Sequence, residues 1–133
     1  MKKGYKTNIE KDTLENENFR KVLYTGMNSQ LVLMALQPKE EIGMEVHPDR
    51  DQFFRFEAGQ GMVYINDNQY EVADGDAVIV PAGAEHNVVN TSDIEILKLY
   101  TIYSPPEHKD AVLRKTRNEA MANEEHFDGK TTE

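Results

Sequence analysis

Between residues 18 and 104 the apolar residues come in short runs, and glycine, proline or asparagine interrupts one after another. This punctuation constrains the fold most, because a helix needs about ten uninterrupted residues and a strand only about four to eight. Phe19–Tyr24 is the first run, closed by Thr25-Gly26-Met27-Asn28-Ser29. Gln30–Gln37 suits a buried strand or a short helix, and Pro38 soon after it favours the strand. Met44–His47, Gln52–Glu57, Met62–Ile65, Gln69–Val72, Ala77–Val80 and His86–Val89 follow, with Asn66-Asp67-Asn68 as a hairpin turn. Ile94–Tyr103 is longer. Ile94, Ile96, Tyr100 and Ile102 share one parity and Leu97, Leu99 and Tyr103 the other, so both faces are partly apolar. A strand of that kind belongs in a wall that also meets a partner chain. The pattern predicts an all-β sandwich or barrel.

Composition sets the limits of that barrel. Apolar residues make up 40 of the 87 positions in 18–104 but seven of the 29 in 105–133. The core is therefore expected within 19–104, after an N-terminal arm (1–18) and before a C-terminal extension (105–133). Pro105-Pro106 closes the β region. Beyond it, Thr116-Arg117-Asn118-Glu119 has capping-box form ahead of Ala120-Met121-Ala122, which predicts a short helix and a frayed end from about Asp128. The chain has no cysteine, which excludes disulfides, thiolate zinc sites and cysteine nucleophiles. A net charge of -9 argues against nucleic-acid partners, which need clustered cations. No apolar run approaches the roughly 20 residues of a membrane span. The start, MKKGYKTNIEKD, lacks the apolar segment of a signal peptide, so a cytoplasmic protein is expected.

Four histidines are present: His47, His86, His108 and His126. Glu45 and His47 are two apart on one predicted strand and share a face. Gln52 follows the turn after His47, and His86 opens a later strand. If these strands are neighbours, the four side chains converge, and such nitrogen and oxygen donors suit Fe, Mn, Ni, Zn or Cu. If they are not, each histidine is an isolated polar residue. His108 and His126 are expected on the surface. Asn90 is expected in a turn. Gly75 and Gly83 fit turn positions that need positive φ.

Residues 75–90 read Gly75-x5-Pro81-x-Gly83-x2-His86-x3-Asn90, which resembles the second motif of the cupin superfamily. The first cupin motif, Gly-x5-His-x-His-x3–4-Glu-x6-Gly, falls into register when anchored on Gly59. His47 then takes the second histidine position, Glu45 the first, Gln52 the glutamate position and Lys39 the leading glycine. The resemblance covers roughly residues 19–104 and implies a double-stranded β-helix barrel. It also implies one divalent transition metal held by Glu45, His47, Gln52 and His86. Two of these depart from the family residue types. The carboxylate has moved from the fourth slot to the first, so ligand charge is conserved. Leu99–His108 further resembles a subgroup of small bacterial cupins loosely named after mannose-6-phosphate isomerase.

The expected function is a metal-dependent enzyme on a small organic substrate, of oxygenase, isomerase or lyase type. A non-catalytic small-molecule-binding or sensing module is the alternative, and a storage or stress scaffold a third. Arg50 and Lys39 are the cations expected near the site, among Glu40, Glu41, Asp49 and Asp51, which disfavours a phosphosugar dianion. Phe54 and Phe56 share the parity of Gln52 and are expected inside. Arg55 is expected outside. A homodimer is expected, with Leu31–Leu36 as material for its interface.

Overall fold

A computed structural model describes all 133 residues. Ten strands follow a first helix: β1 (Arg20–Thr25), β2 (Gln30–Leu36), β3 (Glu45–Val46), β4 (Asp51–Ala58), β5 (Gln60–Ile65), β6 (Asn68–Ala73), β7 (Ala77–Val80), β8 (Glu85–Asn90), β9 (Leu97–Ser104) and β10 (Leu113–Arg114). The helices are α1 (Ile9–Glu15) and α2 (Arg117–Ala122). All strand pairs are antiparallel, in a six-stranded sheet β10-β1-β2-β9-β4-β7 and a four-stranded sheet β3-β8-β5-β6. This is the double-stranded β-helix that the two motifs imply. No helix is long and apolar enough to cross a membrane.

The core lies between the sheets. Val32, Met34 and Leu36 from β2, Phe54 and Phe56 from β4, Val63 from β5, Val88 from β8 and Leu97 and Leu99 from β9 are all sealed from solvent. Each buried side chain of this size contributes about 1.5–3 kcal/mol by leaving water. Gly59 joins β4 to β5 at φ +87, and a Cβ there would lie 2.6 Å from the Ile96 carbonyl oxygen, so only glycine fits. Gly75 and Gly83 take the positive φ expected of them.

Four expectations change. Ile94–Tyr103 is strand only from Leu97, and Ile94 is exposed. The arm contains α1, capped by Asn8, whose side chain accepts from Lys11 N–H at 3.0 Å. This helix lies across β2, β4 and β9. It accounts for Leu33 and Ala35, which are buried although they lie outside the central cluster. Part of the second apolar face is thus covered by the chain's own helix. The chain end is held rather than loose: Thr132 N–H donates to the Thr25 carbonyl at 2.9 Å, and Tyr24 Oη donates to Glu133 at 2.7 Å. The α2 cap forms as expected, with Thr116 Oγ1 accepting from Glu119 N–H at 3.1 Å.

Asn90 is the fourth change. It ends β8 fully buried instead of sitting in a turn. Its amide nitrogen donates to the carbonyls of Leu36, Gln37 and Glu95 at 3.0, 3.1 and 2.8 Å, and its oxygen accepts from Ser92 N–H. One carboxamide therefore ties the ends of β2 and β8 to the turn that leads into β9. Asn90→Ala strands these buried groups and is expected to cost roughly 2–4 kcal/mol in urea denaturation. An unchanged midpoint would show that water replaces the amide.

Candidate metal centre

Glu45 on β3 pairs in register with His86 on β8, so their side chains stand on one face of the smaller sheet. His47, just past β3, joins them. The ligand atoms of the three residues lie within 4.8 Å of one another. His47 Nε2 is 3.1 Å from Glu45 Oε2, and the two imidazole centroids are 5.3 Å apart. Gln52 faces the interior from β4 in the other sheet. Its Nε2 donates to Thr101 Oγ1 at 3.0 Å, and its register partner on β9 is Tyr103, whose ring stands edge-on to His47 at 5.9 Å. Phe54 closes the site from below, with its ring 6.5 Å from that of His86, and Phe56 is plain core.

Two buried polar atoms here lack partners: His86 Nε2 and Gln52 Oε1. The His86 ring is fixed at its other nitrogen, where Nδ1–H donates to the Ala84 carbonyl at 3.1 Å. That bond leaves a lone pair on Nε2, the tautomer a metal requires. Burial holds the His86 imidazole below its ordinary pKa, against the raising effects of the Ala84 carbonyl and the Glu45 charge. Burial also lowers the His47 imidazole, but hydrogen bonding and charge from Glu45, with Glu107, raise it overall. Burial raises the Glu45 carboxyl, but His47, with His86 and Arg20, holds it below the usual carboxylate range. Burial lifts the Tyr103 hydroxyl well above its ordinary value, so it stays protonated.

The extension builds the rim. Buried Gln30 receives Glu107 and His108 N–H on its oxygen at 3.2 and 2.9 Å and donates to the His108 carbonyl at 2.7 Å. Glu107 pairs with Arg50, and its Oε2 lies 3.6 Å from His47 Nδ1. His108 was expected on the surface, yet it is only 6% exposed. Gln30 holds its backbone against β2, and its ring bridges Glu125 at 2.9 Å and the Tyr103 hydroxyl at 3.3 Å. His126 is exposed. Lys39 is not near the site: it pairs with Asp93 and the Thr91 carbonyl on the surface. Arg20 takes the place given to it. Val22, two residues along β1, lies in the core, so the parity of Arg20 already pointed inward. Arg55 turns outward to Glu57 and Asp74 as expected. A concavity of about 560 Å³ over β5 and β6 contains none of the four candidate ligands.

The rim makes stability depend on pH. Burial lowers His108, only partly offset by Glu125, while burial of Glu125 is outweighed by His108, Arg20 and Arg114, which lower it. Both groups bind protons less readily folded than unfolded, so acid favours unfolding. The His108 contribution is complete above the unfolded histidine pKa of about 6.5 and is lost as pH falls through its folded value. The Glu125 contribution is complete above about 4.3 and is lost below that. His47, which is raised, opposes this by favouring the folded state at lower pH. The urea midpoint is expected to fall from pH 7 to 5 and again below 4.5, with Glu125→Gln flattening the lower step. A flat profile would contradict the assignment.

Two antiparallel sheets with a Glu45–His47–His86 cluster carried by β3 and β8 define a double-stranded β-helix of cupin type. The sequence profile of the Cupin domain matches residues 32–103, and the chain belongs to that family. YrkC of Bacillus subtilis is 42% identical over 129 residues, covering 92% of this chain and 69% of YrkC. Protein L612 of Acanthamoeba polyphaga mimivirus is 42% identical over 107 residues, covering 78% of this chain and 67% of L612. The crystal structure of BH2720 from Bacillus halodurans superposes with a TM-score of 0.88 at 42% identity, covering 91% of this chain and 96% of BH2720.

Proposed function

We propose that Glu45, His47, Gln52 and His86 hold one divalent transition metal and that the protein is a metal-dependent enzyme on a small organic substrate. The observation that carries this reading is the pair of buried, unpartnered donor atoms, His86 Nε2 and Gln52 Oε1. Leaving such atoms unpaired costs about 1–3 kcal/mol each, and a shared cation would satisfy both. The donor set of two imidazoles, one carboxylate and one amide oxygen fits Fe, Mn, Ni, Zn or Cu. A bound ion would supply Lewis acidity and an open position for substrate.

The chain's own residues set the conditions. The Ala84 carbonyl orients His86, and Glu107, held by Arg50, faces the second nitrogen of His47. Phe54 excludes water from below. One observation favours non-catalytic ligand binding instead. Glu45, Glu107 and Glu125 are each engaged with a histidine or an arginine, which leaves no free general base among them. Elemental analysis of protein purified without tag or chelator tests the metal. About one equivalent per chain is expected for a complete donor set; none after incubation with all five metal salts would end the enzyme reading.

A homodimer is part of the proposal. Leu31, Ile102, Phe53 and Ile79 form one in-register row across β2, β9, β4 and β7 on the outward face. All four retain solvent exposure, and Ile79 reaches 67%. Light scattering is expected to give twice the 15.2 kDa chain mass. Ile79→Asp is expected to halve that mass; an unchanged mass would move the interface elsewhere.

A further inference from the structure

Arg20 stands on the inward face of β1, opposite the core residue Met34 and two positions from Val22. It is 5% exposed. Burying a guanidinium is costly unless its donors are paired. Here they are poorly paired. Its Nε is buried with no partner, and its single ion pair, Nη1 to Glu125 Oε1, spans 3.8 Å, beyond hydrogen-bond range. Glu125 is already committed to His108 at 2.9 Å and Arg114 at 3.2 Å. The Phe19 ring beneath the guanidinium, 5.5 Å from Cζ, offers cation–π contact but no acceptor.

Arg20 lines a cavity of about 100 Å³ together with Glu45, Glu107, His108, Glu124 and Glu125, with α2 residues at its side. Glu45 is shared with the candidate metal centre, and the Arg20 charge acts on both Glu45 and Tyr103. The space equals roughly three water molecules at about 30 Å³ each. It suits a ligand of a few heavy atoms, not a sugar phosphate. Glu107 and Glu125 are neutralised by Arg50 and Arg114, but exposed Glu124 keeps the rim acidic, which opposes a dianion. A single carboxylate matches the flat guanidinium fork, which binds that group through paired N–H donors.

We infer that this cavity binds a small monocarboxylate, with Arg20 as the residue that takes its carboxylate beside the metal centre. The inference deepens the metal reading and rests on it for the second anchor, since a divalent ion would reverse the negative charge that Glu45 places at the cavity floor. Arg20 is a specificity-determining residue here, and Ala120 and Met121 of α2 line the cavity beside it.

The test uses the full chain loaded with Co(II), whose visible absorption reports changes in its coordination. Glycolate and its neutral counterpart ethylene glycol are the probes. Glycolate is expected to shift the spectrum saturably and ethylene glycol to leave it unchanged. Arg20→Met is expected to weaken glycolate at least about tenfold while Co(II) affinity stays within about threefold, the loss of one charged hydrogen-bonding partner. Equal glycolate affinity in Arg20→Met, or equal responses to the two probes in the unaltered protein, would overturn the inference. The probe comparison needs no variant, so a misfolded Arg20→Met does not weaken it. If the unaltered protein takes up no Co(II), the metal reading fails separately. Calorimetry of glycolate into the metal-free protein then decides the role of Arg20: heat that Arg20→Met removes supports it, and no heat overturns it.

Discussion

The double variant Glu45→Ala, His86→Ala is expected to bind no metal under conditions that load the unaltered chain with one equivalent. Both residues stand at a single register position of the β3–β8 pair, so the change removes one wall of the site at once. Two donors remain, His47 and Gln52. His47 follows β3 and Gln52 lies on β4 of the other sheet, and loss of half a four-ligand set is expected to lower affinity by far more than the roughly 10–100-fold of an outer-shell change. The barrel is expected to survive. Glu45 is half-buried on a two-residue edge strand, and His86→Ala removes only the Nδ1–H bond to the Ala84 carbonyl, since Nε2 has no partner. Circular dichroism should therefore match the unaltered protein while elemental analysis falls to background. A folded double variant that retains a full equivalent would place the metal elsewhere and remove the ligand set proposed above.

The largest stability loss is expected from Phe56→Ala. Phe56 is fully buried in the central cluster with its ring stacked 6.3 Å from Phe54, and β4 is bulged immediately after it. Its backbone is pinned on both sides, N–H to the Asp76 carbonyl at 3.0 Å and carbonyl to Gly75 N–H at 3.0 Å. The wall cannot easily collapse into the space left by the ring, so the cost falls in the range of about 3–5 kcal/mol for such truncations. That is a large share of the roughly 5–15 kcal/mol that holds a domain of this kind together. A melting temperature lower by on the order of 10–20 °C is the expected readout. A change under about 1 kcal/mol would mean that the two sheets close over the gap.

The β segments of the barrel were legible because turn residues bound each strand and apolar parity marks each inner face. Gly75, Pro81, Gly83 and His86 lie within twelve consecutive residues, from the turn before β7 to the start of β8, so local spacing alone carries their pattern. Glu45 and His47 were readable for the same reason. The two-residue β10 was not, since Leu113-Arg114 has no periodicity to show. Helix α1 was missed because its seven residues, Ile9–Glu15, include only two apolar side chains, and its stability comes from lying on a sheet formed far along the chain.

The all-β class, the strand boundaries within a few residues, the capped helix after Thr116 and the shared face of Glu45 and His47 were readable in the sequence alone. Each of these depends on local chemistry: turn propensity, side-chain alternation and capping. Tertiary structure alone decided which polar groups are paired. It buried His108 by way of Gln30, placed Asn90 among three carbonyls, sent Lys39 to the surface and left Arg20 inside without a hydrogen-bond partner for its Nε. Those outcomes depend on contacts between residues as far apart as Gln30 and His108, and no local pattern records which donor meets which acceptor across that separation.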